Sequence, residues 1–238
     1  MDAVPTGRSV GHSLMSRFHQ KRIHGSASDL HLRDPAAGVV PSVVRLDVAG
    51  PTIVLGSTQA DEVLLPADDL AASDIEVARR RSGGGLVWLA PGVSHWIDVT
   101  IGDDDKHWTD DVGAAFVWLG DLFVDALLES GVAATAHRGR FVDKGAGSLL
   151  CFAGLGSGEV TVEGRKLVGM SQRRVRGRAR FQIVMYETWQ PAPLLGALSP
   201  DHVGEAVIER LVQDAHGFGI GCSELGIAAD QLIERVFR

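Results

Sequence analysis

Two hydrophobic periods occur along this chain, and together they restrict its fold class more than any other feature. Between residues 95 and 101 apolar and polar side chains alternate with the two-residue period of a strand. Between residues 112 and 130 apolar side chains recur every three or four positions, which is the period of an amphipathic helix. Further strand patterns lie near residues 43–48, 52–55, 86–89, 148–152, 159–163, 166–168 and 180–187, and further helices are expected from Ser199 and from residue 228. Because strands and helices do not alternate regularly, we expect an α+β fold with a mixed β-sheet and flanking helices.

Length and composition exclude several classes of protein. The 238 residues suffice for one large domain, and 45% apolar residues exclude wholesale disorder. No apolar run reaches the roughly 18 residues of a transmembrane helix, so no membrane association is expected. The net charge of −7 argues against a general nucleic-acid binder. The start of the chain lacks the apolar core of a secretory signal, and two cysteines cannot build a disulfide framework, so we expect a cytoplasmic protein.

The beginning of the chain differs in composition from the rest. Residues 1–27 are polar, with scattered basic side chains, and we expect them to form a loose N-terminal tail. A single domain over residues 28–238, ending in helices, would follow it. The histidines in and beside this tail have spacings that match no metal template, so we expect solvated side chains and no metal site. These histidines are His12, His19, His24 and His31.

Three consecutive glycines, Gly83–Gly85, lead directly into the strand pattern at 86–89. Glycine is costly in ordered structure unless the backbone needs a positive φ or must approach another group closely. Successive backbone N–H groups can bind an anion. The guanidinium groups of Arg79 and Arg80 would add fixed hydrogen-bonding geometry for a carboxylate or phosphate. The alternative is a flexible surface loop.

A second segment, Gly164–Arg174, places Lys166 between two strand patterns, with a glycine and a serine three and five residues later. Seven basic residues lie between Arg165 and Arg180. Such a stretch suits an anionic ligand or an acidic protein partner. A solvated basic hairpin and an RNA- or anion-binding module are the alternatives, and Phe181 is the nearest ring for base stacking.

A third segment contains Cys151 within the apolar run 148–152. A free cysteine in such a run is ordinarily a small buried hydrophobe, and the alternative is a nucleophile. Cys222 belongs to no motif.

Together, these segments resemble the family of lipoate-protein ligase A and the octanoyltransferases. RRRSGGGLVWLAPG resembles the family's Arg-Arg-x-Ser-Gly-Gly-Gly signature, and GRKLVGMSQRR resembles its lysine motif. PTIVLGSTQ, upstream, is similar to a family strand that ends in Gly-x-x-Gln. The resemblance implies the fold of biotinyl/lipoyl-ligase catalytic domains and a tunnel for a lipoyl or octanoyl chain, with Lys166 at the acyl carbonyl. It implies substrate-binding roles for Arg79, Arg80, Ser82, Gly83, Gly84, Gly85, Gly169, Ser171 and Gln172.

Two chemistries occur in this family, and the chain is closest in pattern to the cysteine-dependent octanoyltransferases. Cys151 precedes Lys166 by fifteen positions and is followed by Phe152, as is common in that branch. The resemblance then implies that Cys151 takes an acyl group from acyl carrier protein and passes it to a lysine of a lipoyl-carrier domain. The acceptor would be the glycine cleavage H protein or a 2-oxoacid dehydrogenase subunit. No tightly bound cofactor is expected.

The first alternative is an ATP-dependent lipoate-protein ligase, which would form a lipoyl-adenylate in the same pocket and require ATP and magnesium. The second is a degenerate, non-catalytic lipoyl-binding relative, because two family histidines are missing. The His-Asp-x-Gly that often follows the glycines is replaced by residues 89–92, and the stretch where the family usually has His-Gly reads Arg180-Phe181-Gln182-Ile183, with no histidine. His95 and His137 are weak candidates to replace them.

Overall fold

The computed structural model describes residues 17–35, 37–143 and 145–238. In chain order, the described residues form these strands: β1 (His19–Gly25), β2 (Ser42–Val48), β3 (Thr52–Leu55), β4 (Glu76–Arg79), β5 (Val87–Leu89), β6 (Ser94–Gly102), β7 (Thr135–Ala136), β8 (Val142–Asp143), β9 (Gly154–Leu155), β10 (Val160–Val162), β11 (Arg165–Val175) and β12 (Arg178–Tyr186). Their α-helices are α1 (Ala27–Leu32), α2 (Ala67–Ala71), α3 (Val117–Glu129), α4 (Ala192–Gly196), α5 (Pro200–Val203), α6 (Glu205–Asp214) and α7 (Ala229–Val236).

Two sheets organise these elements. The larger has seven strands in the order β1-β2-β6-β12-β11-β10-β7, and a three-stranded sheet has the order β4-β3-β5. Strands β1 and β2 run parallel, whereas β2, β6, β12 and β11 are successively antiparallel. In the smaller sheet, β3 pairs parallel with β4 and antiparallel with β5. The fold is therefore the mixed α+β type expected from the sequence.

The large sheet is buried on both faces. From β12, Phe181 and Ile183 join a core cluster with side chains of α3 and α7. The alternate residues Val184 and Tyr186 face the other cluster, which contains all of β5. The alternation between residues 95 and 101 has the same cause, except that its polar positions, including Asp98, are buried as well. The cavity of the candidate site lies on the face of the sheet that carries Val184 and Tyr186.

Strand β1 corrects the expectation of a loose tail over residues 1–27. Residues 1–16 lie outside the described residues, but His19–Gly25 pairs with Ser42–Val48 along its whole length. The tail prediction is wrong for this strand. Its pattern was not recognisable because β1 is an edge strand whose side chains are mostly exposed, so no apolar alternation marks it.

The helix expected over residues 112–130 is shorter than its periodicity indicates. Helix α3 begins at Val117 after a 3₁₀ turn at Ala114–Phe116. Asp111 caps that turn, because its Oδ1 accepts hydrogen bonds from the backbone N–H groups of Gly113 at 2.8 Å and Ala114 at 3.1 Å. Gly131, with φ +79°, follows the helix in a conformation that favours glycine.

The prediction of a strand at residues 148–152 is wrong. Leu150 forms an isolated bridge to Leu86, and the chain then turns into a 3₁₀ helix at Cys151–Ala153. The apolar run arises because Leu150, Phe152 and Ala153 are buried in the core while the backbone turns. This turn places Cys151 beside the glycine loop.

Candidate active site

A cavity of about 310 Å³ opens between the two sheets. Its walls come from β3 and β5 of the small sheet, from β6, β11 and β12 of the large sheet, and from the loops 82–85 and 147–159. Of the residues predicted for the site, the cavity is lined by Arg80, Ser82, Gly83, Gly84, Gly85, Cys151, Lys166, Gly169, Ser171 and Gln172. Arg79 is not among its lining residues.

The two arginines of the first motif bind carbonyls of two different loops, and Arg80 holds the glycine loop in shape. Arg80 is buried, and its guanidinium donates to the carbonyls of Gly83 at 2.9 Å and Gly85 at 2.8 Å. Burial lowers the pKa of this guanidinium. Arg79 donates to the carbonyls of Gly56 at 2.8 Å and Gln59 at 2.6 Å and also pairs with Asp61. Both guanidinium groups are thus engaged by the protein itself, so direct contact between them and a substrate stays a prediction.

Gly85 lets the glycine loop approach the cysteine segment closely. The backbone N–H of Leu86 donates to the carbonyl of Leu149 at 2.6 Å, and that of Cys151 donates to the carbonyl of Leu86 at 3.0 Å. A Cβ at position 85 would lie 2.7 Å from backbone atoms of Leu149 and Leu150. By contrast, a Cβ at Gly83 would meet nothing within 4 Å. The first motif therefore positions Cys151 through backbone contacts that only glycine permits.

Lys166 is fully buried and paired with Glu159, a residue that sequence reasoning missed. The Lys166 Nζ lies 2.7 Å from Oε2 of Glu159 and donates to the carbonyl of Cys151 at 2.8 Å. The carboxylate is fixed in turn, because Oε2 accepts from the N–H of Gly156 at 2.6 Å and Oε1 from that of Met170 at 2.9 Å. An ammonium has three donors, so two fixed bonds leave one for a ligand. A buried lysine requires such a partner, which is the signal that predicts an acidic neighbour.

The rest of the second motif lies along the cavity wall. The hydroxyls of Ser82 and Ser171 are 3.1 Å apart, which joins the two motifs across the cavity. A Cβ at Gly169 would lie 3.1 Å from the ring of Phe152, so glycine lets this ring pack closely against β11. The basic stretch that contains the motif is not a uniform surface patch, because Lys166 and Arg180 are both buried and paired with carboxylates.

The two cysteines differ sharply in environment. Cys151 is half-buried, its thiol is free, and it lines the cavity. Cys222 is fully buried away from the cavity, and burial raises the pKa of its thiol to about 12. A thiol reacts as its thiolate, so Cys222 is inert at neutral pH and Cys151 is the candidate nucleophile.

The histidine that lines the cavity is His31, and not one of the two candidates that the sequence suggested. His95 lies outside the lining and its Nε2 is 3.2 Å from Glu187, while Nε2 of His137 is 2.8 Å from the carbonyl of Arg140. His31, which was expected to be solvated, is buried and lines the cavity. It contacts Gln182, which lies in the stretch where the family's histidine is missing, with 3.2 Å between Nδ1 and the amide nitrogen.

Comparison with known families agrees with this arrangement. The family model described as the lipoyl protein ligase A/B catalytic domain matches residues 27–209. The chain belongs to this family. It is accordingly an enzyme of protein lipoylation, of the ligase or acyltransferase type. The matched range includes the glycine loop, Cys151, Glu159 and Lys166.

Solved structures share the fold of this lipoyl ligase-family chain at low sequence identity. A bipartite lipoate protein ligase from Thermoplasma acidophilum, solved in a study that also covers its E2 lipoyl domain, is 15% identical with a TM-score of 0.68, over 92% of this chain and 80% of that one. A lipoate-protein ligase A bound with ATP is 17% identical with a TM-score of 0.59, over 84% and 70% of the two chains. LipL1 of P. falciparum in complex with lipoate is 12% identical with a TM-score of 0.60, over 91% and 59%. No curated protein matches the chain.

Two further properties concern only the described residues. They include no helix that is long and apolar enough to cross a membrane. They also include no group of three or more His, Cys, Asp or Glu side chains that could hold a metal ion.

Proposed function

We propose that this protein transfers an octanoyl or lipoyl group to a lysine of a lipoyl-carrier domain through an acyl thioester on Cys151. The observation that carries the proposal is the free thiol of Cys151 on the wall of the cavity, in a turn whose carbonyl binds the Lys166 ammonium. A cavity of about 310 Å³ is at the small end of the range for ligand sites, which is about 300–1,000 Å³. A single acyl chain suits this size.

In the first step, the Cys151 thiolate attacks the carbonyl of an acyl thioester on a carrier protein. A new C–S bond forms, the former C–S bond breaks, and the carrier leaves as a thiolate that takes up the proton released by Cys151. One thioester replaces another, so no ATP is required. The remaining N–H of Lys166 would stabilise the oxyanion that develops on the carbonyl.

In the second step, the amine of the acceptor lysine attacks the thioester on Cys151. The C–N bond of the amide forms, the C–S bond breaks, and the proton lost by the amine returns to the sulfur of Cys151. Division of the transfer into two steps is the ordinary benefit of covalent catalysis. The free enzyme is restored without a cofactor.

The partners follow from this chemistry. The donor is proposed to be acyl carrier protein. The acceptor is proposed to be a lipoyl-carrier domain, of the glycine cleavage H protein or a 2-oxoacid dehydrogenase subunit. The second partner class is supported by the T. acidophilum ligase, a structural neighbour described together with its E2 lipoyl domain.

The second candidate is an ATP-dependent lipoate ligase. It is favoured by the likeness to solved proteins described as lipoate ligases, one of them bound with ATP. One feature supports the transferase instead. Arg79 and Arg80 donate to backbone carbonyls and are not free to bind phosphates.

The dependence on the acyl donor tests the proposal. Purified protein and a lipoyl domain would be supplied either with octanoyl carrier protein alone or with free lipoate, ATP and magnesium, and amide formation followed by intact mass. The transferase gives product with the first mixture. Product with the second mixture alone would establish the ligase, and product with neither would identify a non-catalytic relative.

A further inference from the structure

His31 contributes to the wall of the cavity from helix α1. It lies at the end of α1, is 6% exposed, and lines the cavity together with Trp96 and Gln182. Its ring stacks on that of Trp96 with centroids 4.3 Å apart. The Gln182 amide donates to Nδ1 at 3.2 Å. Contacts from two strands thus fix the orientation of the imidazole.

The imidazole is neutral at physiological pH. Burial, with further contributions from the guanidinium groups of Arg180 and Arg80, lowers the pKa of His31 to about 3. A general base needs a pKa nearer the working pH. His31 is therefore part of the wall, and a role in proton transfer is not indicated.

The backbone behind His31 is held by a buried ion pair. Arg180 pairs with Asp98 at 2.5 Å, and both side chains are almost fully buried. The same guanidinium donates to the carbonyls of Leu30 at 3.0 Å, His31 at 3.3 Å and Arg33 at 3.1 Å. Three carbonyls at the end of α1 are thus fixed to β12, so the imidazole cannot move aside without breaking this cluster.

The strand register gives the distance between Lys166 and this wall. Gly169 of β11 pairs with Val184, which pairs with Trp96 on β6. Because β11 carries one extra residue between Lys166 and Val168, Lys166 lies two residue steps, roughly 7 Å, along the strand from Gly169. The two strand spacings from β11 to β6 add roughly 10 Å across the sheet, so the backbones of Lys166 and Trp96 are roughly 12 Å apart. An extended eight-carbon chain, with seven bonds of about 1.5 Å in a staggered zigzag, spans roughly 9 Å. A chain whose carbonyl lies at Lys166 would end at this wall.

We infer that His31 sets the maximum length of the acyl chain by closing the end of the cavity opposite Lys166. The inference rests on the proposed function, since it requires an acyl group in this cavity. His31 thus determines substrate specificity through the volume of its side chain.

Calorimetric binding of hexanoate, octanoate, decanoate and dodecanoate tests this inference. For the unaltered protein, affinity should rise roughly fourfold for each methylene up to octanoate and then stop rising. In His31→Ala the rise should continue to decanoate or dodecanoate. His31→Phe, which keeps a ring, should retain the octanoate limit, and His95→Ala serves as a control outside the cavity.

The outcomes separate the inference from the proposed function. An unchanged chain-length profile in a folded His31→Ala protein, or the same shift in His31→Phe, would overturn the role of His31. If His31→Ala fails to fold by thermal melting, His31→Val is measured, and it should shift the limit in the same direction by a smaller amount. An unaltered protein that binds none of the four acids would instead contradict the acyl cavity itself.

Discussion

Replacement of Gly85 with alanine would disturb Cys151 through backbone contacts alone. The new Cβ would lie 2.7 Å from three backbone atoms of Leu149 and Leu150, whereas carbon atoms pack at about 3.5–4.0 Å. Backbone atoms cannot rotate away as a side chain can, so residues 149–151 must shift by roughly 1 Å. This shift carries the Cys151 N–H and its bond to the carbonyl of Leu86 with it.

The cost to catalysis should be comparable to the cost to stability. Misplacement of a reacting group by about 1 Å can slow a reaction about 100-fold, which corresponds to about 2.7 kcal/mol of activation free energy. Overpacking of this kind lowers the free energy of unfolding by about 1–3 kcal/mol. The matched control is Gly50→Ala, because Gly50 lies outside the cavity lining and a Cβ there meets nothing within 4 Å. Its stability should change by less than about 0.5 kcal/mol and its rate should not change.

Two measurements would be made on both variants. The rate of acyl adduct formation from octanoyl carrier protein would be followed by intact mass spectrometry, and the free energy of unfolding by denaturant titration. Alkylation of the Cys151 thiol by iodoacetamide reports its placement independently of the acyl donor. Equal adduct and alkylation rates in Gly85→Ala and Gly50→Ala would refute the argument that the glycine loop positions the cysteine.

Three further predictions concern charged and titratable groups. Lys166→Ala should slow acyl transfer by about 100-fold or more, as loss of one oxyanion donor does. Lys166→Arg should not restore the rate, because a guanidinium places its charge differently from an ammonium. Normal turnover by either variant would exclude this cavity as the active site. Glu159→Gln leaves the Lys166 ammonium without its carboxylate, so we expect the free energy of unfolding to fall by about 3–5 kcal/mol and acyl transfer to slow. The control for the denaturant titration is Glu163→Gln, whose side chain is exposed. An equal loss of stability in both variants would show that burial of the ion pair does not matter. His31 has a folded pKa of about 3, below its usual 6.5, so the unfolded chain binds more protons in this window and stability should fall with decreasing pH by up to about 1.4 kcal/mol per pH unit. His31→Phe should remove that slope from denaturant titrations between pH 6.5 and 3, and an unchanged slope would show that His31 is not buried in its neutral form.

The sequence was most informative where a local period or a backbone requirement fixes the structure. The two-residue period of β6 and the pattern over residues 180–187 indicate strands, and both strands form, although nearly all their residues are buried. The three glycines indicated a close approach, and the structure places that approach between Gly85 and the cysteine segment. Local patterns of this kind depend on neighbouring residues, so one sequence is enough to read them.

Other features depend on contacts between distant residues, and these were missed or wrongly assigned. The partner of Lys166 is Glu159, which reaches it across a hairpin, and His31 meets Gln182 from 151 positions away. The side chain of His31 lies beside a polar segment of the sequence, so it was predicted to be exposed to solvent, although the fold buries it. Arg79 donates to the loop carbonyls of Gly56 and Gln59, contacts that the sequence did not indicate, and its predicted role in substrate binding stays a prediction.

The central claim is that Cys151 carries the acyl group, and peptide mass mapping after incubation with octanoyl carrier protein tests it most directly. Without an acceptor, we expect an octanoyl mass increment on the peptide that contains Cys151, labile to hydroxylamine and lost when a lipoyl domain is added. Cys222→Ser should give the same adduct, because that thiol is buried with its pKa raised to about 12. Cys151→Ser should give no thioester. Absence of the adduct, together with full activity of Cys151→Ser in the presence of lipoate, ATP and magnesium, would contradict the account and establish the ligase.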